Sequence, residues 1–258
     1  MEIIIKRDAE EASLEAAAIF RRQLREKPES VLGLATGSTP LRFYELLAAM
    51  GRAGELDASR AVTFNLDEYV GLSAAHPQSY AAYMRAHLLD HLPVARWHIP
   101  DGQTADIPRH CAEYEAAIRA AGGIDIQLLG LGSDGHIGFN EPGSSLGSRT
   151  RLKTLTARTV ADNAPHFASP AEVPRHVITM GVGTILEARR CVVLAFGKQK
   201  AHAVAAMAEG PVTAMVPASA LQMHPACALI VDEAAAGDLQ RRDYYRWVYE
   251  NKPAWQRP

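Results

Sequence analysis

The chain has 258 residues, of which 48% are apolar, 22% charged and 7% aromatic, so it can fill one sizeable core and is neither disordered nor collagen-like nor of low complexity. Its length allows one or two domains at ~150 residues each. Twenty-seven basic against 29 acidic side chains leave a net charge of -2, which excludes a global field for nucleic acid or anionic lipid. An anionic ligand must therefore be held by local groups.

The chain opens on Met1-Glu2-Ile3-Ile4-Ile5-Lys6, where a short apolar run meets charge at once, unlike the h-region of a secretion signal. No apolar stretch approaches the ~18 residues of a membrane span. Cys111, Cys191 and Cys227 are odd in number and far apart, which suits neither a disulfide framework nor a Cys-x-x-Cys zinc site. A cytoplasmic protein without membrane contact is expected.

Short apolar runs alternate with helical patterns along the chain. Ile3 to Ile5, Val31 to Leu34, Val62 to Asn65, Ile124 to Leu131, Val177 to Met180, Cys191 to Phe196 and Ala228 to Val231 predict strands of the buried parallel kind. Helices are predicted near Asp8 to Glu26, Leu41 to Met50, Gln78 to His91, His110 to Ala121, Lys198 to Glu209 and Asp238 to Tyr249. Strand and helix in turn imply right-handed crossovers and an α/β, doubly wound, mostly parallel sheet with helices on both faces. With no repeat, linker or charge block, residues 1–258 are read as one domain. In such a sheet, ligands bind beyond the carboxyl ends of the strands.

The first loop of that kind is Ala35-Thr36-Gly37-Ser38-Thr39-Pro40. Gly37 allows close backbone approach, Pro40 suits a first helical turn, and the helix start favours an anion such as phosphate. Without a Gly-Lys-Ser/Thr it is not a Walker A loop, and an ordinary helix capped by Ser38 or Thr39 explains it equally well. The second loop, Leu66-Asp67-Glu68-Tyr69-Val70-Gly71, places two adjacent acids after a strand. Either a general base or a solvated capping pair fits.

The third loop contains Gly130-Leu131-Gly132-Ser133-Asp134-Gly135, which matches the dinucleotide G-x-G-x-x-G pattern. Pro142 interrupts the helix such a site needs, and no acid stands ~20 residues on, so a nicotinamide site is rejected. What remains is His136 between Asp134 and Glu141, a set that can orient an imidazole for proton transfer. A surface loop histidine is the competing reading. A triad hydrolase is disfavoured for lack of a Ser or Cys elbow.

Together these loops resemble the glucosamine-6-phosphate deaminase (isomerase) family. The resemblance is carried by Thr36-Gly37-Ser38-Thr39-Pro40, Phe64-Asn65-Leu66-Asp67-Glu68-Tyr69-Val70-Gly71, Asp134-Gly135-His136-Ile137-Gly138-Phe139-Asn140-Glu141-Pro142, the segment from Ser148 to Thr156, and Gly181-Val182-Gly183-Thr184. It implies a Rossmann-like fold and conversion of glucosamine 6-phosphate and water to fructose 6-phosphate and ammonia. It also implies that Asp67 moves the proton between C2 and C1, and that His136, oriented by Asp134 and Glu141, opens the pyranose ring. No metal or other cofactor is implied. The substrate phosphate is expected on Gly37, Ser38 and Thr39 with Lys200, whose place at a helix start is unfavourable for a cation unless an anion is near.

The family's arginine before an aromatic residue is missing from Asn163-Ala164-Pro165-His166-Phe167, so either His166 or a nearby basic group replaces it or the preferred substrate differs. Ser144, Arg151, Lys153 and Thr154 resemble an effector site for N-acetylglucosamine 6-phosphate formed between subunits of a homo-oligomer. Arg149, Arg151 and Lys153 alternate along a predicted strand, where charges protecting a sheet edge are the plainer explanation.

Two motifs are set aside. His87 and His91 stand at i and i+4 without a third zinc ligand, and Tyr244, Tyr245, Trp247, Tyr249 and Trp255 suit a docked C-terminal helix. The alternatives to the deaminase are a lactone hydrolase of the 6-phosphogluconolactonase type and a non-catalytic sugar-phosphate sensor. A small sugar phosphate is the expected partner in every case.

Overall fold

A computed structural model describes residues 1–167 and 169–256 and, of Asp162, His166, Pro170 and Ala254, the backbone alone. The first half of the chain forms β1 (Glu2–Lys6), α1 (Ala9–Glu26), β2 (Val31–Leu34), α2 (Leu41–Arg52), β3 (Val62–Asn65), β4 (Asp67–Tyr69), α3 (Tyr80–Met84), β5 (Arg96–His98), α4 (Ile107–Ala120) and β6 (Ile126–Gly130). There follow β7 (Arg151–Thr154), α5 (Ala157–Asn163), β8 (His176–Thr179), α6 (Val182–Leu186), β9 (Cys191–Ala195), α7 (Ala201–Ala208), β10 (Cys227–Asp232) and α8 (Arg242–Glu250).

Seven strands form one sheet in the order β1-β10-β9-β6-β2-β3-β5, and each pair in it is parallel. Helices cover both faces, so the strands are buried on both sides, as the near-continuous apolar runs in β2, β9 and β10 require. Local signals support the assignments. Asp8 accepts a hydrogen bond from the Glu11 N–H and caps α1, whose Ala12, Ala16, Phe20 and Leu24 recur at helical spacing on the buried face.

The expected sheet is present, with three corrections. Val177 lies not in the parallel sheet but in β8, the middle of a three-stranded antiparallel sheet ordered β4-β8-β7. An apolar run buried on both faces has no feature that reveals its partner's direction. The strands β4 and β5 were not predicted, because each has only three residues and no alternation. The helix expected from Gln78 to His91 is one α turn, Tyr80–Met84, running into a wider π turn over Arg85–Leu89.

The chain passes from the large sheet to the small one at Leu66. Its N–H bonds back to Leu34 O in β2, and its carbonyl accepts from the Met180 N–H just past β8. A small cluster of Tyr69, Phe139, Leu155 and Val177 fills the space beneath the second sheet. At the far end, α8 packs against β1 with Tyr245 and Tyr249 inward, while Tyr244, Trp247 and Trp255 face solvent. Among the described residues no helix is long and apolar enough to cross a membrane.

Candidate active site

From β2 the chain moves outward through β3 to β5, then returns to lay β6 on the other side of β2. The crevice between these neighbours is where an open α/β sheet places its ligand. A cavity of about 310 Å³ opens there, walled by Gly37, Ser38 and Thr39 from the loop after β2, Gly132 and His136 from the loop after β6, and Asp67 from the seam between the sheets. Lys200 enters from the turn after β9, and Thr159 and Asn163 from α5. Every expected proton-transfer and phosphate residue except Asp134 and Glu141 lines this one space.

In the first loop, Gly37 has φ +98°, and a side chain there would touch nothing within 4 Å. Glycine is therefore needed for left-handed backbone and not for a close approach within the chain. The cap at the start of α2 is Pro40, with no side-chain hydrogen bond. Neither Ser38 nor Thr39 is spent on capping, which removes that reading, and both line the cavity. Tyr83 Oη donates to Gly37 O at 2.6 Å and steadies the loop from α3.

The acid pair splits into two roles. Glu68 accepts from the N–H groups of Tyr69, Tyr80 and Ala81 at 2.8, 2.9 and 2.9 Å, so it ties β4 to the start of α3. Asp67 is 4% exposed, faces the cavity and receives no hydrogen bond among the described residues. Burial, with the neighbouring Glu68 charge second, pushes its carboxyl up to about 8. A carboxylate short of solvation is a strong base for its type. Tyr44, Tyr69, Tyr80 and Tyr114 also feel its charge.

In the third loop His136 Nδ1 lies 2.6 Å from Asp134 Oδ1. That contact holds the Asp134 carboxyl down at about 2. An ionised carboxylate only accepts, so Nδ1 carries a proton, which leaves Nε2 as the nitrogen that can exchange one with a ligand. Gly132 makes room for the ring, since a Cβ there would stand 2.3 Å from Cε1 and Nδ1.

Glu141 is a correction. Its carboxylate accepts from Thr156 N–H at 3.1 Å, from Thr156 Oγ1 at 2.9 Å and from Thr159 Oγ1, and it does not bond His136. The turn Ile137–Asn140, closed by the Asn140 N–H to Ile137 O, reverses the chain between the histidine and the glutamate. Glu141 thus anchors the start of α5, the helix that carries Thr159 and Asn163 over the cavity.

Lys198–Lys200 form a single 3₁₀ turn before α7. Both oxygens of Asp232 accept the Gly197 N–H at 3.0 Å and fix the turn that presents Lys200. The His166 side chain lies outside the described residues. Another basic group does reach the cavity wall: Arg158 Nη2, from α5, donates to Ser133 Oγ at 3.3 Å.

The expected effector residues surround β7. Alternation puts Arg151 and Lys153 on one face, and Leu152 and Thr154 on the other. Ser144 is buried, and its hydroxyl has no partner among the described residues. Arg149, expected to share the face of Arg151, precedes the strand and pairs with Glu115 and Glu187. A wider cavity of about 1010 Å³ between α4 and β7 contains neither Asp67 nor His136. His91 Nε2 bonds Ala86 O, and among the described residues no three metal-ligating side chains gather.

Tyr80, Phe139, Thr159 and Asn163 line the cavity without having been predicted. Of these Phe139 stands in a loop the sequence singled out and Asn163 in the segment that lacks the family's arginine, whereas Thr159 is brought in by Glu141, a contact between distant segments.

A family profile described as glucosamine-6-phosphate isomerases/6-phosphogluconolactonase matches residues 6–229. Similar curated proteins include "Glucosamine-6-phosphate deaminase" of an Arthrobacter species, 54% identical over 99% of both chains. A protein of that name from Streptomyces avermitilis is also 54% identical over 99% of both. A solved structure described as a monomeric glucosamine-6-phosphate deaminase superposes with TM-score 0.90 at 42% identity, covering 92% of this chain and 100% of the other. A 6-phosphogluconolactonase from Trypanosoma brucei shares the fold, with TM-score 0.72 at 22% identity.

Proposed function

This chain belongs to the glucosamine-6-phosphate isomerase/6-phosphogluconolactonase family, and on that footing we propose that it converts glucosamine 6-phosphate and water to fructose 6-phosphate and ammonia. The observation that carries the choice is Asp67, a buried carboxylate without a protein hydrogen bond, in the same cavity as a histidine oriented by an aspartate. Lactone hydrolysis has no use for a base placed to shuttle a proton between carbons.

The phosphate lies on the Gly37-Ser38-Thr39 segment with the Lys200 ammonium beside it. His136 Nε2 takes the proton from the anomeric hydroxyl and returns it to the ring oxygen, leaving an open aldehyde. Asp67 then removes the proton at C2 while one proton of the substrate's ammonium passes to O1, giving an enol with the amine on C2, and Asp67 delivers the proton it holds to C1. The resulting iminium at C2 adds water and expels ammonia, leaving the ketose. The imidazole and the carboxylate each return to their starting state. Asp134 holds the imidazole tautomer, and Glu141 holds α5 across the opening.

A second reading makes Ser144, Arg151, Lys153 and Thr154 an effector site for N-acetylglucosamine 6-phosphate. It is supported by the buried, unpartnered Ser144 hydroxyl. Activation of turnover by that compound tests it.

The deciding assay measures ammonia and ketose-phosphate release from glucosamine 6-phosphate and galactosamine 6-phosphate, beside lactone hydrolysis. Ammonia from a 2-amino sugar phosphate is expected; none from either would end this reading.

A further inference from the structure

The small antiparallel sheet aligns three side chains in a row. Asp67 on β4 pairs with Thr179 on β8, and Thr179 pairs with Arg151 on β7. Directly opposed residues of antiparallel strands project to the same face. The turn Ile137–Asn140 lies across that face and meets each member of the row. Gly138 packs so close that a Cβ would stand 3.1 Å from Thr179 Oγ1 and 3.4 Å from Asp67 Oδ2. The Phe139 N–H donates to Thr179 Oγ1 at 3.2 Å. Asn140 Oδ1 accepts from Arg151 Nη1 at 2.9 Å.

Asn140 is fully buried, and its side-chain N–H groups are committed to Ile137 O at 2.9 Å and Met180 O at 2.7 Å. Arg151 is thus the donor for its buried carbonyl. A buried acceptor left without a donor costs enough to move the segment that carries it. The same Nη1 also reaches Arg149 O at 3.3 Å, and among the described residues no carboxylate pairs with the half-buried guanidinium. A salt bridge therefore does not explain its burial.

We propose that Arg151 is a positioning residue for the proton transfer, holding the Ile137–Asn140 turn over Asp67 through the Asn140 amide and thereby setting the floor of the reaction site. This rests on the deaminase reading and adds to it a role exerted within one chain, in the absence of any effector. With the guanidinium gone, the turn lifts at its Asn140 end, and water reaches the Asp67 carboxylate from beneath. Asp67 then loses both its alignment to C1 and C2 and the dryness that makes it basic. Glu68 beside it on the same strand, the surrounding tyrosines, and His136 and Lys200 across the cavity are the other titratable groups around Asp67.

The test measures kcat, KM and the pH profile of kcat/KM for wild type, Arg151→Ala and Arg151→Lys on glucosamine 6-phosphate, with no N-acetylglucosamine 6-phosphate present. The alanine variant is expected to lose about 10- to 100-fold in kcat with KM within about 3-fold, because misplacing a reacting group weakens turnover more than binding. Its acid limb moves to lower pH. Lysine, which keeps one donor, recovers most of both. Arg151→Met keeps the stem without the donor and carries the same readouts if the alanine variant does not fold. An unchanged kcat with an unmoved acid limb overturns the proposal, as does a kcat loss that only follows the folded fraction. If wild type releases no ammonia, it is the deaminase reading that has failed.

Discussion

The two sheets contribute to the same cavity in opposite ways. In the large sheet, strands such as β9 and β10 are apolar and almost wholly buried, and their contribution to the site is made by the loops that leave their ends. In the small sheet the strands themselves hold the chemistry: β4 begins with Asp67 and β7 with Arg151, and alternate residues of β7 reach solvent. The large sheet is a scaffold whose central strands lie in the main apolar core. The small one is a device in which a charged side chain is buried at a cost and used for it.

Substitutions can break or sharpen that division. The largest effect is expected at Asp67. Asp67→Asn removes the base while keeping shape, and kcat should fall about 10³-fold or more with substrate still bound. Near-normal turnover would move the chemistry out of the small sheet. In wild type, kcat/KM should rise with pH through about 8, where the buried carboxyl ionises.

Next comes the scaffold. Leu229 is fully buried in β10, and Leu229→Ala should cost about 2–5 kcal/mol in denaturant unfolding with kcat per folded molecule unchanged. A large kcat loss there would erase the contrast. A smaller, intermediate effect is expected where a scaffold loop touches substrate. Lys200→Ala should raise KM about 10- to 100-fold, the worth of one charged hydrogen bond, and leave the pH profile in place.

The smallest effect concerns stability. Unfolded Asp67 ionises in the ordinary carboxylate range, and folded Asp67 near 8. The folded state thus binds the extra proton between those limits, and stability falls as pH rises through that window. Asp67→Asn escapes this penalty. It should melt a few degrees higher than wild type at about pH 9, with the gain shrinking toward pH 4. A gain that grew on acidification would contradict the burial of that charge.

Legibility followed the same division. β2, β9 and β10 were visible as apolar runs, and α1 through its Asp8 cap and i, i+4 stripe. The loops after β2 and β6 could be located by the rule for open sheets, which brought Gly37 and His136 into view, while Lys200, after β9, came with the family resemblance. By contrast β4 has three residues, two of them acids, and nothing local marks it as a strand. Glu141 was read as a partner of His136 because they are near in sequence; a tight turn between them sends it to α5. Of the adjacent acids, Asp67 and Glu68, the family resemblance singled out Asp67, but nothing in the local pattern gave the physical reason. The answer depends on where the amides of Tyr80 and Ala81 fall.

By itself, then, the sequence determined the parallel sheet, the loops that border the cavity and the residue types of a proton-transfer site. Hydrophobic periodicity, caps and turn residues act over a few neighbours and are written locally. The tertiary structure alone decided that Asp67 is buried with no hydrogen bond among the described residues while Glu68 is bonded, that Glu141 supports α5, and that Arg151 stands two strands from Asp67 behind the same turn. Desolvation and cross-strand register arise only when distant segments close around one another, so no local pattern could contain them.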